Sequence, residues 1–189
     1  MHEGESRLQT SLSQEALNFL NQLVQPELIT QEQKDILDKL KKQYPVPLST
    51  SIVIGRFQPF HPGHLFLLRC AQAVSQKFAI GMGSVNRSDL NNPFPFSFRE
   101  QLVRRAIEKA GISVYKIVPL NDYPDDNALW LQQIRDQVGP VEAVIGNNPR
   151  VNGIFRDAKH RVVEIPFMDR EHLEGTTIRE DMRKRGFLP

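Results

Sequence analysis

The sequence has little of what marks secreted, membrane or nucleic-acid-binding proteins. Its single cysteine, Cys70, excludes a disulfide within the chain and fits a reducing compartment. No apolar run is long enough to span a bilayer, and the N-terminus lacks the basic and apolar pattern of a secretory signal. The net charge is only +2, which by itself does not indicate nucleic acid binding. We therefore expect a cytoplasmic protein without a membrane or nucleic acid partner.

The first 48 residues predict a helical extension ahead of the main domain. Ser13 precedes a segment with apolar residues at helical spacing, and Thr30 with Gln33 has the spacing of a capping box before a second such segment. We expect a helical hairpin over residues 1–48 that packs on the main domain, 49–189, or on a neighbouring subunit of a homo-oligomer. A regulatory or partner-binding arm is the other hypothesis.

From residue 51 onward, strand and helix patterns alternate. The predicted strands are 51–55, 78–82, 114–118, 143–145 and 161–165, and the predicted helices are 64–75, 98–110, 128–138, 149–158 and 177–185. Ser97 with Glu100, and Thr177 with Glu180, have the spacing of further capping boxes. This alternation predicts an α/β, Rossmann-like, doubly wound parallel sheet of five strands with helices on both faces. Ligands of such sheets bind beyond the carboxyl ends of the strands, where the strand order reverses.

The segment at residues 55–64, G-R-F-Q-P-F-H-P-G-H, joins the first predicted strand to the first helix of this domain. We expect Gly55 to let the chain leave the strand at backbone angles that a side chain would forbid. Pro62 suits the first position of a helix, and Gly63 removes bulk so that a ligand can approach the backbone. Free amide groups and the helix dipole favour an anion at such a turn.

Two histidines belong to this turn. His61 and His64 are three residues apart, a spacing that predicts one helical face and a shared direction. They could also be surface residues or half of a metal site. A zinc site would need further ligands, and the chain offers one cysteine and three other histidines with no ligand spacing among them. We therefore predict a phosphate-binding turn with two hydrogen-bond donors and no metal held by the protein.

The same segment resembles the first signature of the nucleotidylyltransferase superfamily, whose H-x-G-H turn holds the phosphates of a nucleoside triphosphate. The late segment G-T-T-I-R, residues 175–179, resembles the second signature, at the start of a late helix. Class I aminoacyl-tRNA synthetases share the first motif but carry a lysine-rich second motif that this sequence lacks. The two motifs together indicate the superfamily.

Three further segments are similar to archaeal-type nicotinamide-nucleotide adenylyltransferases. They are Gly83-Ser84 followed by N-P-F-x-F-x-x-R ending at Arg99, the element N-A-L-W at residues 127–130, and N-N-P-x-V at residues 147–151. Such enzymes often carry an arginine just before N-P-F, where this chain has Asn91. Arg87 is the nearest basic residue that would substitute for it.

The resemblance implies transfer of AMP from ATP to nicotinamide mononucleotide, giving NAD and pyrophosphate. Mg²⁺ would arrive with ATP, and the substrate's own phosphate would be the nucleophile. His61, His64 and Arg179 would be the catalytic groups on the triphosphate. The residues implied to bind ATP are Gly55, Arg56, Phe57, Gly63, Asn147, Thr176 and Thr177. Asn127 and Trp130 would bind the acceptor's pyridine ring, although Trp130 taken alone reads as a core residue of an amphipathic helix.

Two kinds of alternative stay open. Within the superfamily, the acceptor could be nicotinate mononucleotide, phosphopantetheine or flavin mononucleotide. Outside enzymes, the chain could be a nucleotide sensor whose hairpin relays occupancy to a partner. The intact motif residues His61, His64 and Arg179 favour the enzyme.

Overall fold

The computed structural model describes residues 12–26, 28–166 and 174–188. Two helices begin it, α1 (Gln14–Leu23) and α2 (Gln31–Gln43). The Ser13 hydroxyl accepts a hydrogen bond from the Ala16 amide at 3.1 Å, and Thr30 and Gln33 form the reciprocal capping box that their spacing predicts. Both helix starts are therefore confirmed, because each cap satisfies amide groups that the first turn leaves without a helical partner.

The remaining elements alternate as predicted. They are β1 (Ser51–Gly55), α3 (Pro62–Val74), β2 (Phe78–Met82), α4 (Phe96–Ala110), β3 (Lys116–Pro119), α5 (Asn127–Val138), β4 (Ala143–Gly146), α6 (Pro149–Asp157), β5 (Arg161–Glu164) and α7 (Gly175–Lys184). All neighbouring strands are parallel, in the order β3-β2-β1-β4-β5. The predicted Rossmann-like sheet is confirmed. Its order reverses between β1 and β4, where a ligand is expected.

Successive side chains of the strands enter two different cores. Ile52 of β1 belongs to the core formed with α5 and α6, and its neighbour Val53 belongs to the core formed with the other five helices. Both faces of the sheet are therefore covered, which explains the mostly apolar sequences of the central strands β1, β2 and β4. Cys70 is a buried part of the larger core. No helix of the described ranges is long and apolar enough to cross a bilayer.

The N-terminal hairpin contributes to the larger core. Leu20 of α1 and Leu40 of α2 are buried there, and Leu48 exchanges backbone hydrogen bonds of 2.8 Å with Val74 and Gln76. The packing matches the hypothesis that the hairpin docks on the main domain. A domain boundary between residues 48 and 49 stays a prediction.

Two predicted capping boxes are wrong. Helix α4 begins at Phe96 with Pro95 as its N-cap, so Ser97 already lies in the first turn and cannot cap it. Helix α7 begins at Gly175 with Glu174 as its N-cap, which places Thr177 inside the helix in the same way. The spacing of serine or threonine with glutamate also occurs inside helices, so it located the two starts two residues too late.

The buried position of Leu20 makes a testable prediction for the hairpin. Leu20 is 1% exposed, whereas Leu28 in the same hairpin is 95% exposed. Leu20→Ala should lower the free energy of unfolding by about 2–5 kcal/mol, because it leaves a cavity in the core. Leu28→Ala is the matched control and should change it by less than about 0.5 kcal/mol. Urea unfolding followed by circular dichroism measures both, and equal small effects would show that the hairpin is not part of the core.

Candidate functional site

A cavity of about 340 Å³ opens at the carboxyl ends of β1 and β4, the point where the strand order reverses. Five stretches of chain line it: the end of β1 with the turn after it, the start of α3, the segment after β4, the segment after β5, and the start of α7. Of the predicted site residues, the lining includes Gly55, Arg56, Phe57, His61, Gly63, His64, Asn147, Thr176 and Arg179. Thr177, Asn127 and Trp130 are not part of it.

The turn after β1 depends on Phe57 rather than on Gly55 for its unusual backbone. Phe57 has a φ of 51°, in the left-handed region, whereas Gly55 is an ordinary strand residue. The conformational role predicted for Gly55 is therefore wrong. A Cβ at Gly55 would lie 3.0 Å from Cζ of the Phe57 ring, so glycine is needed there to leave room for that ring. Phe57 accepts backbone strain that an aromatic residue normally avoids.

Two buried guanidinium groups hold this turn from either side. Arg99 of α4 donates from Nη1 to the carbonyl of Arg56 at 2.6 Å and to that of Gly83 at 2.9 Å. Arg179 of α7 donates from Nη1 to the carbonyl of Gln58 at 2.7 Å. Arg99 is 1% exposed and Arg179 is 2% exposed. The carbonyls on both sides of Phe57 thus point to protein donors.

Gln58 joins three parts of the site, and sequence reasoning did not single it out. Its carbonyl binds Arg179, and its side-chain amide exchanges hydrogen bonds of 2.9 and 3.0 Å with the backbone of Phe94. A Cβ at Gly175 would lie 3.0 Å from the same carbonyl, so α7 approaches the turn closely. The only sequence signal was the position of Gln58 inside the first motif. Its buried partners lie 36 and 121 residues away along the chain.

The two imidazoles lie together at the start of α3. His61 is the N-cap in extended conformation, so the helical spacing argument does not apply to it, yet its ring centroid is 3.7 Å from that of His64. Burial lowers the pKa of His61 to about 4. Burial, and to a smaller extent the charge of His61, holds the pKa of His64 well below its usual value. Both rings are therefore neutral at neutral pH, each with one N–H to donate.

The hydrogen bonds of the rings indicate which nitrogen meets a ligand. Nδ1 of His61 and Nδ1 of His64 are buried, and neither has a partner among the residues that the structure describes. An unpartnered buried N–H is costly, so we place the proton on Nε2. Two Nε2–H donors are then available to a ligand in the cavity.

The second motif forms the opposite side of the cavity. Arg179 donates from Nη2 to the Thr176 hydroxyl at 3.2 Å, which orients it across the first turn of α7. Gly175 and Thr176 lie in this first turn, whose amide groups form the positive end of the helix dipole. The early and late motifs therefore meet around one space, as their resemblance to phosphate-binding signatures implied.

The charge of the site favours a polyanion over a bare metal ion. Burial is the main cause that lowers the pKa of Arg99, to about 10, and it also lowers that of Arg179, with the charge of Arg56 adding to both effects. Both guanidiniums stay charged at neutral pH. In the described ranges no cluster of three or more histidine, cysteine, aspartate or glutamate side chains could hold a metal.

The predicted acceptor residues lie outside the cavity. Trp130 is 8% exposed in the smaller core, with its ring edge against Phe155 at a centroid distance of 6.2 Å. Asn127 is the exposed first residue of α5. Their role stays a prediction.

The structure also shows the surroundings of Arg87, the predicted substitute for an arginine at position 91. Arg87 lies 3.5 Å from the carboxylate of Asp122, measured from Nε, and Asn91 donates its backbone amide to Asp89 at 2.8 Å. Arg87 therefore already has an acidic partner in the structure. Its role as a substitute for an arginine at position 91 stays a prediction.

Comparison with known proteins agrees with this geometry. The model of the cytidylyltransferase-like family matches residues 52–180. The nicotinamide-nucleotide adenylyltransferase of Thermoplasma acidophilum is 35% identical over 133 residues, which are 70% of this chain and 74% of that protein. The enzyme of Methanolobus tindarius is 38% identical over 130 residues, 68% of this chain and 74% of that protein. The chain belongs to the nicotinamide-nucleotide adenylyltransferase family. It is accordingly a nucleotidyltransferase.

Solved structures support the membership. A bifunctional NMN adenylyltransferase/ADP ribose pyrophosphatase from Francisella tularensis is 25% identical, with a TM-score of 0.65 over 73% of this chain. The chain spans only 43% of the length of that bifunctional protein. The same protein complexed with AMP and a manganese ion has a TM-score of 0.62 at 25% identity, over 72% of this chain and 42% of that one. The adenylyltransferase fold is thus shared.

The buried histidines predict acid sensitivity. Since the folded-state pKa of His61 is about 4 against an ordinary 6.5, the unfolded chain takes up a proton that the folded chain refuses as pH falls below 6.5. The titration of His61 alone should lower the free energy of unfolding by about 2 kcal/mol when the pH falls from about 8 to about 5. Urea unfolding at both pH values should show a smaller loss for His61→Gln than for the parent. His160→Gln, outside the cavity, is the control, and an unchanged loss in His61→Gln would contradict the assignment.

Proposed function

We propose that this member of the family transfers AMP from ATP to nicotinamide mononucleotide, giving NAD and pyrophosphate. The observation that carries the proposal is the meeting of the two motif turns around one cavity, where Arg179 binds the Gln58 carbonyl beside the paired rings of His61 and His64. The relatives from Thermoplasma acidophilum and Methanolobus tindarius are nicotinamide-nucleotide adenylyltransferases, which supports both substrates.

The triphosphate would lie between the two turns. His61 and His64 would donate from Nε2, and the start of α7 would bind the far phosphates. Arg179 uses one N–H of each Nη on protein oxygens, and each of those nitrogens carries a second hydrogen for a phosphate. A guanidinium suits this double task better than an ammonium, because its donors are held in one plane.

The reaction would be a direct displacement. An oxygen of the acceptor's phosphate forms a bond to the α-phosphorus of ATP, and the bond from that phosphorus to the bridging oxygen breaks, so the electron pair leaves with pyrophosphate. The nucleophile is already ionised, so no general base is needed, and neutral histidines act as hydrogen-bond donors to the developing charge. Positioning and electrostatic stabilisation would provide the rate enhancement.

A divalent cation would enter as part of the ATP substrate. The cavity lining of the described chain offers imidazoles, amides, a hydroxyl and Glu174 as its only acidic residue, which is no resident Mg²⁺ site. Phosphate oxygens and water would hold most of the ion. The manganese ion in the Francisella relative supports a divalent metal, and we propose Mg²⁺.

For the acceptor, we keep the proposal that Asn127 and Trp130 bind the pyridine ring. Asn127 stands exposed at the start of α5, with Trp130 one turn further on. Thr177 is proposed to act through the first turn of α7 rather than from the cavity wall. Homo-oligomerisation and a cytoplasmic location stay predictions.

The first test is acceptor use. The protein is incubated with ATP, Mg²⁺ and either nicotinamide mononucleotide, nicotinate mononucleotide, phosphopantetheine or flavin mononucleotide, and products are separated by chromatography. NAD and an equal amount of pyrophosphate are expected with the first acceptor. A different adduct without NAD would assign another acceptor, and no adduct with any of them would favour a nucleotide sensor.

The second test is His64→Ala. Removing one donor to the developing charge should lower kcat/KM for ATP by about 100-fold or more. The matched control is His160→Ala, since His160 lies away from the cavity and should retain activity. Near-ultraviolet circular dichroism checks folding of both variants, because His64 also packs on Phe57 with ring centroids 4.7 Å apart. Equal rates in the folded His64→Ala variant and the parent would remove the phosphate-binding role of His64.

A further inference from the structure

Phe57 in the lining of the cavity combines burial, a left-handed backbone and an amide with no hydrogen-bond partner among the described residues. The whole Phe57 residue is only 1% exposed, and it belongs to the lining of the cavity. No hydrogen bond from this amide is found to any residue of the described ranges. Phe57 is also held in the left-handed conformation. A strained residue with a free amide at a cavity indicates a prepared anion donor.

Arg99 accounts for the direction of this amide. The peptide between Arg56 and Phe57 is trans, so its C=O and N–H point in opposite directions. Because Arg99 draws the Arg56 carbonyl into the protein, the Phe57 N–H is directed to the other side. The bond from Arg179 to the Gln58 carbonyl restrains the peptide between Gln58 and Pro59 on the other side of Phe57.

The surroundings of Arg99 show that its interactions are with backbone. It forms no ion pair with a carboxylate of the described ranges, and its Nε is buried without a partner there. One Nη spans the carbonyls that follow β1 and β2. A buried charge of this kind is costly, which is reason to look for a function beyond packing.

We propose that Arg99 is a positioning residue that aims the Phe57 amide at a phosphate oxygen of the nucleotide. The inference rests on the proposed function, because it assigns the phosphate to ATP. Arg99 itself does not contact the substrate; it acts through the Arg56 carbonyl. The competing reading is that Arg99 only ties β1 to β2 and supports the fold.

The test uses Arg99→Lys, with Arg104→Lys as the matched control on the exposed side of the same helix. Lysine keeps the charge but concentrates its donors in one ammonium, so it cannot reproduce the guanidinium geometry. Calorimetry measures binding of inorganic tripolyphosphate and, separately, of nicotinamide mononucleotide. Tripolyphosphate lacks the nucleoside, so this readout does not require NAD synthesis.

A second readout observes the Phe57 amide directly. Arg56-Phe57 is the single Arg-Phe pair in the sequence, so labelling arginine carbonyls with carbon-13 and phenylalanine amides with nitrogen-15 yields one correlated NMR signal for this peptide. In the parent protein, tripolyphosphate should move the amide proton of that signal downfield, as expected for a new hydrogen bond to an anion. The shift should be absent or much reduced in Arg99→Lys.

The expected outcome is selective. Arg99→Lys should weaken tripolyphosphate binding by about 10-fold or more, the loss of one hydrogen bond to a charged group, and change nicotinamide mononucleotide binding by less than about 2-fold. Equal weakening of both ligands, or an unchanged Phe57 signal in the parent, would overturn the proposal. If Arg99→Lys does not fold, the parent protein alone provides the test. The proposal is then rejected if tripolyphosphate does not shift the Phe57 amide proton downfield. Absence of NAD synthesis with an intact shift would reject the proposed function and leave the positioning role standing.

Discussion

The site depends on one hydrogen bond between distant parts of the chain, from the Arg179 guanidinium to the Gln58 carbonyl. It joins the turn after β1 to the first turn of α7 and leaves a cavity between them. Gly175 makes the approach possible, because a side chain there would press on the same carbonyl. The side-chain amide of Gln58 exchanges hydrogen bonds with the backbone of Phe94, so the turn is also held to the segment before α4.

A second constraint is the cost of buried positive charge. Arg99 and Arg179 are buried, and the charge of Arg56 acts on both. Their hydrogen bonds are to backbone carbonyls and a hydroxyl rather than to carboxylates. An arrangement of this kind is most favourable with a polyanion in place. The neutral histidines fit it, because they have hydrogen-bond donors but add no further positive charge.

The fold was largely predictable from the sequence. Strands β1 and β2 have the predicted bounds, since both are mostly apolar segments that end at glycine- or proline-containing turns or at polar residues. Strand β3 begins at Lys116 rather than at residue 114, and its edge position leaves fewer apolar residues to mark its start. The starts of α4 and α7 were placed too late, because the serine and threonine signals recur inside helices. The actual N-caps are Pro95 and Glu174, and neither begins a serine- or threonine-based capping pattern.

By itself, the sequence determined the positions of the two motifs, the alternating elements and the helical hairpin, because each depends on neighbouring residues and on periodicity. Only the tertiary structure decided how the motifs are held. It gave the left-handed backbone to Phe57 instead of Gly55, and it used Gln58 and Arg99 to orient that turn. Those roles come from contacts between residues far apart in the chain, where the partners are set by the packing of whole helices. A local pattern of residue types cannot encode such a pairing.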